Sequence, residues 1–291
     1  MFRWLSRALL VCAGRLPGFG WADMPSERSA AALHVRHASF EERLRNSSFR
    51  RPLTLDSVES ATSLKGEIHA VIDHPFDTVR TALQEAENWC DVLILHINVK
   101  HCRARTDRSP ARLTVSVGRK VAQALEDAHP IEFAYRVASA TPGFMEVRLD
   151  AAEGPLSTHN YRIRLQAVPL PDGKTFMHFA YAYDYGMAGR LAMKTYLATI
   201  GSGKVGFTRI GAASEPVGGM RGVVERNTMR YYLAVDTYLD ALSAPPRQRF
   251  EKRLEAWFAA TEQYPRQLRE IDRTAYLDMK REEYRRQQHA Y

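Results

Sequence analysis

The sequence predicts an α+β fold in which a curved antiparallel sheet wraps around a long C-terminal helix, with extra helices after it. Three observations carry this. A strand pattern running directly into a helical pattern opens at Gly66. A run of about six strand-like segments joined by short turns follows, and then a long amphipathic helix. A curved sheet buries its concave face only where a helix lies across it, and such packing leaves room of ligand size between the two.

The first residues form a basic start (Arg3, Arg7), an apolar run (Ala8–Gly14) and small residues, Gly20 and Ala22, ahead of Asp23. Residues 1–22 are therefore expected to be a signal peptide, which places the mature protein in the periplasm or outside the cell. Arg15 shortens the apolar run, and the competing reading is a frayed amphipathic N-terminus in a cytosolic protein. No later segment approaches the ~20 apolar residues of a membrane span. The net charge of +8 includes Arg3, Arg7 and Arg15, and the remainder is spread among alternating charges. That pattern lacks the basic stripe of a nucleic-acid surface, although transient contact with an anionic membrane surface fits it. With 45% hydrophobic and 25% charged residues, the chain is expected to be globular and not disordered.

Residues 23–65 are polar, with a short helical stretch near Phe40–Arg45, and read as an N-terminal arm. GEIHAVID then alternates as a strand, with Ile68, Ala70 and Ile72 on one face. Asp73 is placed to cap a helix with Pro75 in its first turn, and FDTVRTALQEAENWCDVLI continues as a helix through Phe76, Val79, Leu83 and Ala86. Six segments follow with β alternation or β-branched and aromatic enrichment: NVKHCRART, ARLTVSVGRK, IEFAYRVASA, FMEVRLDAA, THNYRIRLQAVPL and KTFMHFAYAYDYG. Short turns between them imply an antiparallel meander. MAGRLAMKTYLAT is expected to be a helix ended by Gly201 and Gly203, followed by a Gly/Pro-rich loop to Gly219. The long helix covers RGVVERNTMRYYLAVDTYLDAL and stops before Pro245–Pro246. Helices Phe250–Gln263 and Arg266–Gln288 complete the chain. The expected division is 1–22, 23–65, 66–244 for the ligand-binding domain, and 245–291 for a C-terminal helical extension.

This element order across Gly66–Leu242, with the opening GEIHAVIDHPFDTVRTAL, resembles the START/polyketide-cyclase-like (SRPBCC, helix-grip) superfamily. The resemblance implies a helix-grip, START-like fold enclosing an apolar cavity. One fold hosts many functions, so it implies no particular activity.

Several groups of residues invite a chemical reading. Trp89–Cys102 contains Cys90, Asp91, His96, His101 and Cys102. The spacings lack the close ligand pairs of a structural zinc site, so no metal is expected. Cys90 and Cys102 form either a disulfide, which suits an oxidising compartment, or two buried free thiols. TIGSGKVGFTRIG is no Walker loop, because Lys204 precedes Val205 and the stretch follows a helix; it is either a mobile cover for the cavity or a plain connection. Arg226 and Arg230, four apart, either hold an anionic head group or pair with acidic residues. Phe179, Tyr181, Tyr183 and Tyr185 share one sheet face. Together with Val223, Arg226, Met229, Arg230 and Leu233 they form the expected cavity wall.

No catalytic residues and no cofactor are expected. The function favoured is non-catalytic binding or transport of a hydrophobic small molecule or lipid. The alternatives are a cyclase- or aromatase-like enzyme using the same cavity, or a protein-interaction module built on the C-terminal helices.

Overall fold

A computed structural model describes residues 29–107, 109–187, 189–191, 203–211 and 214–289. The expected signal segment and most of the expected helix after Tyr185 lie outside them. The main sheet is eight-stranded and antiparallel, in the order β1-β2-β8-β7-β6-β5-β4-β3. Its strands are β1 (Leu53–Glu59), β2 (Ser63–Ile72), β3 (Val99–Arg105), β4 (Ala111–Val117), β5 (His129–Thr141), β6 (Phe144–Glu153), β7 (Thr158–Pro169) and β8 (Thr175–Tyr185). Strands β3 to β8 form the expected meander, and β8 closes back on β2, pairing Ile68 with Phe179 and Gly66 with Tyr181. A long helix, Gly219–Asp240, then packs on β1, β2 and β8. This is the helix-grip arrangement.

Residues 23–65 hold more regular structure than their polarity suggested. Helix α1 (Ala30–Arg45) starts at Ser29, whose hydroxyl accepts the Ala32 N–H at 3.2 Å. It packs on the convex face, where Leu33, Phe40 and Leu44 meet Phe144, Val168 and Phe176. β1 adds a strand beyond the one expected at Gly66 and forms an edge of the sheet.

The helical segment after β2 is two helices, α2 (Phe76–Leu83) and α3 (Ala86–Leu93). Pro75 occupies the cap position of α2, and Asp73 makes no capping bond. The break persists because α3 serves the open end of α2: Asn88 Nδ2 donates to the Ala82 carbonyl and Trp89 Nε1 to the Leu83 carbonyl, both at 2.8 Å. The Cys90–Cys102 disulfide then ties α3 to β3, with Cα atoms 5.1 Å apart.

We number the long helix α4 and the two that follow α5 (Pro246–Glu262) and α6 (Arg273–His289), separated by a single turn at Pro265–Leu268. These helices contribute Leu254, Trp257, Tyr276 and Leu277 to the main hydrophobic core. Trp257 Nε1 donates to the Arg230 carbonyl at 3.1 Å, and Tyr276 OH to the Leu95 carbonyl at 2.8 Å. Gln287 Oε1 accepts the Cys102 N–H of edge strand β3 at 2.9 Å. Beneath α6 the buried Glu283 carboxylate bridges two buried amines, Lys100 at 3.0 Å and Lys280 at 2.8 Å, which also donate to backbone carbonyls. Buried charge is tolerated there because each donor finds an acceptor.

Candidate functional site

Alternation along β8 turns Phe179, Tyr181 and Tyr183 toward α4, which answers with Tyr231. The Tyr231 ring lies 5.4 Å from that of Tyr181 and 6.5 Å from that of Phe179. Tyr161 of β7 stacks on Tyr183 at 5.2 Å, and Phe133 of β5 meets Tyr161 edge-on at 6.3 Å. An aromatic wall thus runs across the concave face from β5 to β8 and onto the helix.

The hydroxyls on this wall divide into two sets. Tyr161 OH is paired with Thr158 Oγ1 at 2.7 Å. At the end of β8, Tyr185 OH donates to the Ser60 carbonyl at 2.8 Å, and Tyr135 OH binds the Leu83 carbonyl at 3.0 Å. Tyr181, Tyr183 and Tyr231 make no hydroxyl hydrogen bond among the described residues. Burial pushes all three phenols above their ordinary range, so they remain neutral donors near pH 7.

His96, in the turn between α3 and β3, stacks on Tyr231 at 4.4 Å and is 2% exposed. Its Nδ1 accepts the Asn98 N–H at 3.2 Å. Burial first, and then Arg230 and Lys280, hold its pKa well below the usual histidine value. A neutral imidazole whose Nδ1 accepts must carry its proton on Nε2, and Nε2 has no partner among the described residues.

α4 contributes to the wall differently from expectation. At about 100° per residue, Met229 and Leu233 lie roughly 160° around the helix from Tyr231, and Val223 about 80° from it. Met229 and Leu233 are fully buried, while Val223 is half-buried. Arg226 Nη1 donates to the Val205 carbonyl at 3.1 Å. Arg230 Nη2 donates to the Leu268 carbonyl at 3.2 Å and pairs with Glu270 at 2.6 Å. Arg230 therefore pairs with an acidic residue of the C-terminal segment. Burial alone would raise the Glu270 carboxyl, but Arg230, Lys120 at 2.7 Å and Lys204 hold it below its ordinary value. Sequence reasoning missed Tyr161, Phe133, Tyr231 and the role of His96. Tyr161 was detectable, since it alternates with Ile163 and Leu165.

Among the described residues, two pockets illustrate where open space lies. One is a polar surface groove of about 570 Å³ along Ser57–Ala61 with Arg190 and Arg221. The other, about 10 Å³, lies among Trp257, Tyr276 and Glu270. Neither is lined by the aromatic wall, whose rings rest on one another. On the convex face His69 stacks on His178 at 4.3 Å, and His178 Nε2 pairs with Glu67 at 2.9 Å beneath α1. Among the described residues no three His, Cys, Asp or Glu side chains are grouped to hold a metal ion. The loop glycine Gly206 is pinned to the fold by its N–H to Val217 at 2.6 Å, and the buried Glu225 accepts the Phe207 and Thr208 N–H groups. Gly201 lies outside the described residues.

No family model and no curated protein matches the chain. Solved structures do. Human StAR-related lipid transfer protein 5 aligns at 11% identity over 58% of this chain and 87% of that one, with a TM-score of 0.33. Norcoclaurine synthase from Thalictrum flavum aligns at 8% identity over 52% and 82%, with a TM-score of 0.33. A START superfamily protein from Mycobacterium smegmatis aligns at 13% over 49% and 93%, with a TM-score of 0.31. The strand order and the helix lying across it, not these alignments, define the architecture.

Proposed function

We propose that this protein binds a small apolar molecule against the concave face of its sheet, beneath α4, and performs no chemistry on it. The observation that carries the reading is the trio of unpaired hydroxyls on Tyr181, Tyr183 and Tyr231. None of the three is a fully buried atom, and Tyr231 is half-buried, so their unpaired tips stay within reach of a bound molecule, which they can meet as donors or acceptors. Tyrosine also suits the task, offering ring area and a polar tip together. The rings rest on one another across the face, so entry involves their rotation, with Tyr231 moving away from Tyr181. A catalytic reading is less well supported, because the phenols are pushed up and His96 down, and none of these groups is poised near neutrality.

Titration with phenylnaphthylamine, a neutral apolar fluorophore, tests the proposal. Saturable enhancement at one molecule per chain, weakened by Tyr231→Ala, is the expected result. Failure to saturate up to the dye's solubility limit would overturn it.

The Cys90–Cys102 bridge supports an exported location, where such a bond persists. Alkylation should label these two cysteines only after reduction of protein isolated from its native host. Labelling without reductant would argue for a reducing compartment. Transient contact with a membrane surface during loading remains part of this proposal.

A further inference from the structure

We infer that His96 is the interior hydrogen-bond donor for the polar end of the bound molecule, so that the ligand joins an apolar body to a terminal acceptor oxygen. The inference rests on the binding face proposed above and specifies its chemistry.

The argument begins with donor bookkeeping. Nδ1 of His96 is occupied by the Asn98 N–H, which leaves Nε2 as an N–H with nothing to donate to among the described residues. The side chain is 98% buried, given its 2% exposure, so bulk water does not relieve it. Most other buried donors near it are satisfied: Lys280 by the His96 and Val99 carbonyls, Lys100 by Val121 and Glu283, and Tyr276 by Leu95. The ring is held parallel to Tyr231, within 23°, so its free N–H lies in a plane alongside the aromatic wall.

The groups left over on this face are all able to donate, namely one imidazole N–H and three phenol O–H groups. A molecule that satisfies them must bring acceptors. A hydrocarbon would leave every one of them unpaired, whereas a carboxylate, sulfonate or carbonyl oxygen would not. The charges bearing most on the ring are Arg230, Lys280, Lys120 and Lys100, with Glu270 and Glu283 as ion-pair partners. Cationic surroundings favour an acceptor that carries negative charge over a neutral one.

A pair of fluorophores with a common aromatic body separates this inference from the one beneath it. Anilinonaphthalene sulfonate carries an anionic acceptor, and phenylnaphthylamine carries none. The wild-type chain is expected to bind the sulfonate about tenfold more tightly, the worth of one charge-assisted hydrogen bond. His96→Phe keeps a ring against Tyr231 and removes the donor, so it should lower sulfonate affinity about tenfold more than it changes phenylnaphthylamine affinity, which abolishes the preference. His96→Gln, which restores an N–H, should recover part of the preference. Nitrogen NMR of His96 in the wild-type chain gives a readout independent of variant folding: the Nε2–H signal should move on addition of the sulfonate and stay put with the neutral dye. Equal affinities in the wild type, an unmoved Nε2–H signal, or parallel loss of both dyes in His96→Phe would overturn the role of His96. Absence of saturable binding by either dye would instead overturn the binding face itself.

Discussion

Gly66 of β2 lies directly beneath Thr228 of α4, so close that a Cβ at position 66 would overlap the Thr228 hydroxyl oxygen. That hydroxyl is fixed by donation to the Val224 carbonyl at 2.7 Å and cannot swing aside freely. The missing side chain is what lets the helix approach the strand next to Tyr181, the residue that Gly66 pairs with.

Gly66→Ala is expected to destabilise the fold by about 1–3 kcal/mol, as overpacking does in a filled interior. Thr228→Ala alone should cost less, and the double variant should recover part of the loss. Urea unfolding of the four proteins measures the coupling, and strictly additive effects would disprove the contact as its source.

Acid should loosen the convex face. Burial, followed by the nearby His178, holds His69 down at about 3, against 6.5 for an ordinary histidine. Burial would raise Glu67, yet hydrogen bonds from His178 and Lys65 outweigh it and hold the carboxyl at about 2. Between pH 6.5 and about 3 the unfolded chain therefore binds more protons at position 69. Stability falls as pH drops through that window, by up to about 1.4 kcal/mol per pH unit. The Glu67 contribution, present above its unfolded value of 4.5, is lost in turn as pH falls toward about 2. His69→Phe should flatten the upper part of this profile in denaturation midpoints measured across the window. An unchanged slope would show that the acid sensitivity arises elsewhere.

Tyr181→Phe removes a hydroxyl that has no partner. Stability should hold within about 0.5 kcal/mol, because no hydrogen bond is lost. Binding of an acceptor-bearing dye should weaken at the same time. An unchanged melting temperature with weaker affinity is the signature of a side chain kept for function. A drop in both would mark Tyr181 as purely structural.

Truncation after Pro246 should not leave a folded core. Removing α5 and α6 would uncover the Arg230 backbone, strip Lys100 of its Glu283 partner and expose the outward side of α4. Soluble expression and a cooperative melt of residues 23–246 would contradict this and revive an appended docking module as the role of these helices.

The sheet and its crossing helix were legible because alternation, turn residues and helical spacing agree from Gly66 to Asp240. α1 and β1 were not, since α1 buries little beyond Leu33, Phe40 and Leu44 among charged neighbours, and Asp56 and Ser57 break the pattern of β1. The β8 side of the site could be read from the spacing of Phe179, Tyr181 and Tyr183. The helix side could not. Fifteen residues of α4 are buried, so Met229 and Leu233, on the side away from Tyr231, look no different in sequence from Val224 and Val235. Periodicity reports that a face is covered but not by what. His96 escaped notice because its significance depends on Asn98 having claimed one ring nitrogen, a matter of turn geometry alone.

Because α4 is enclosed by the sheet on one side and by α5 with the Pro265–Leu268 turn on the other, neither of its sides works as a solvent-facing back. Its central amides are thereby shielded from local breathing, and deuterium should reach them only when the whole domain opens. A helix so placed serves as the spine of the protein, and the adjustments that admit cargo fall to the rings around it.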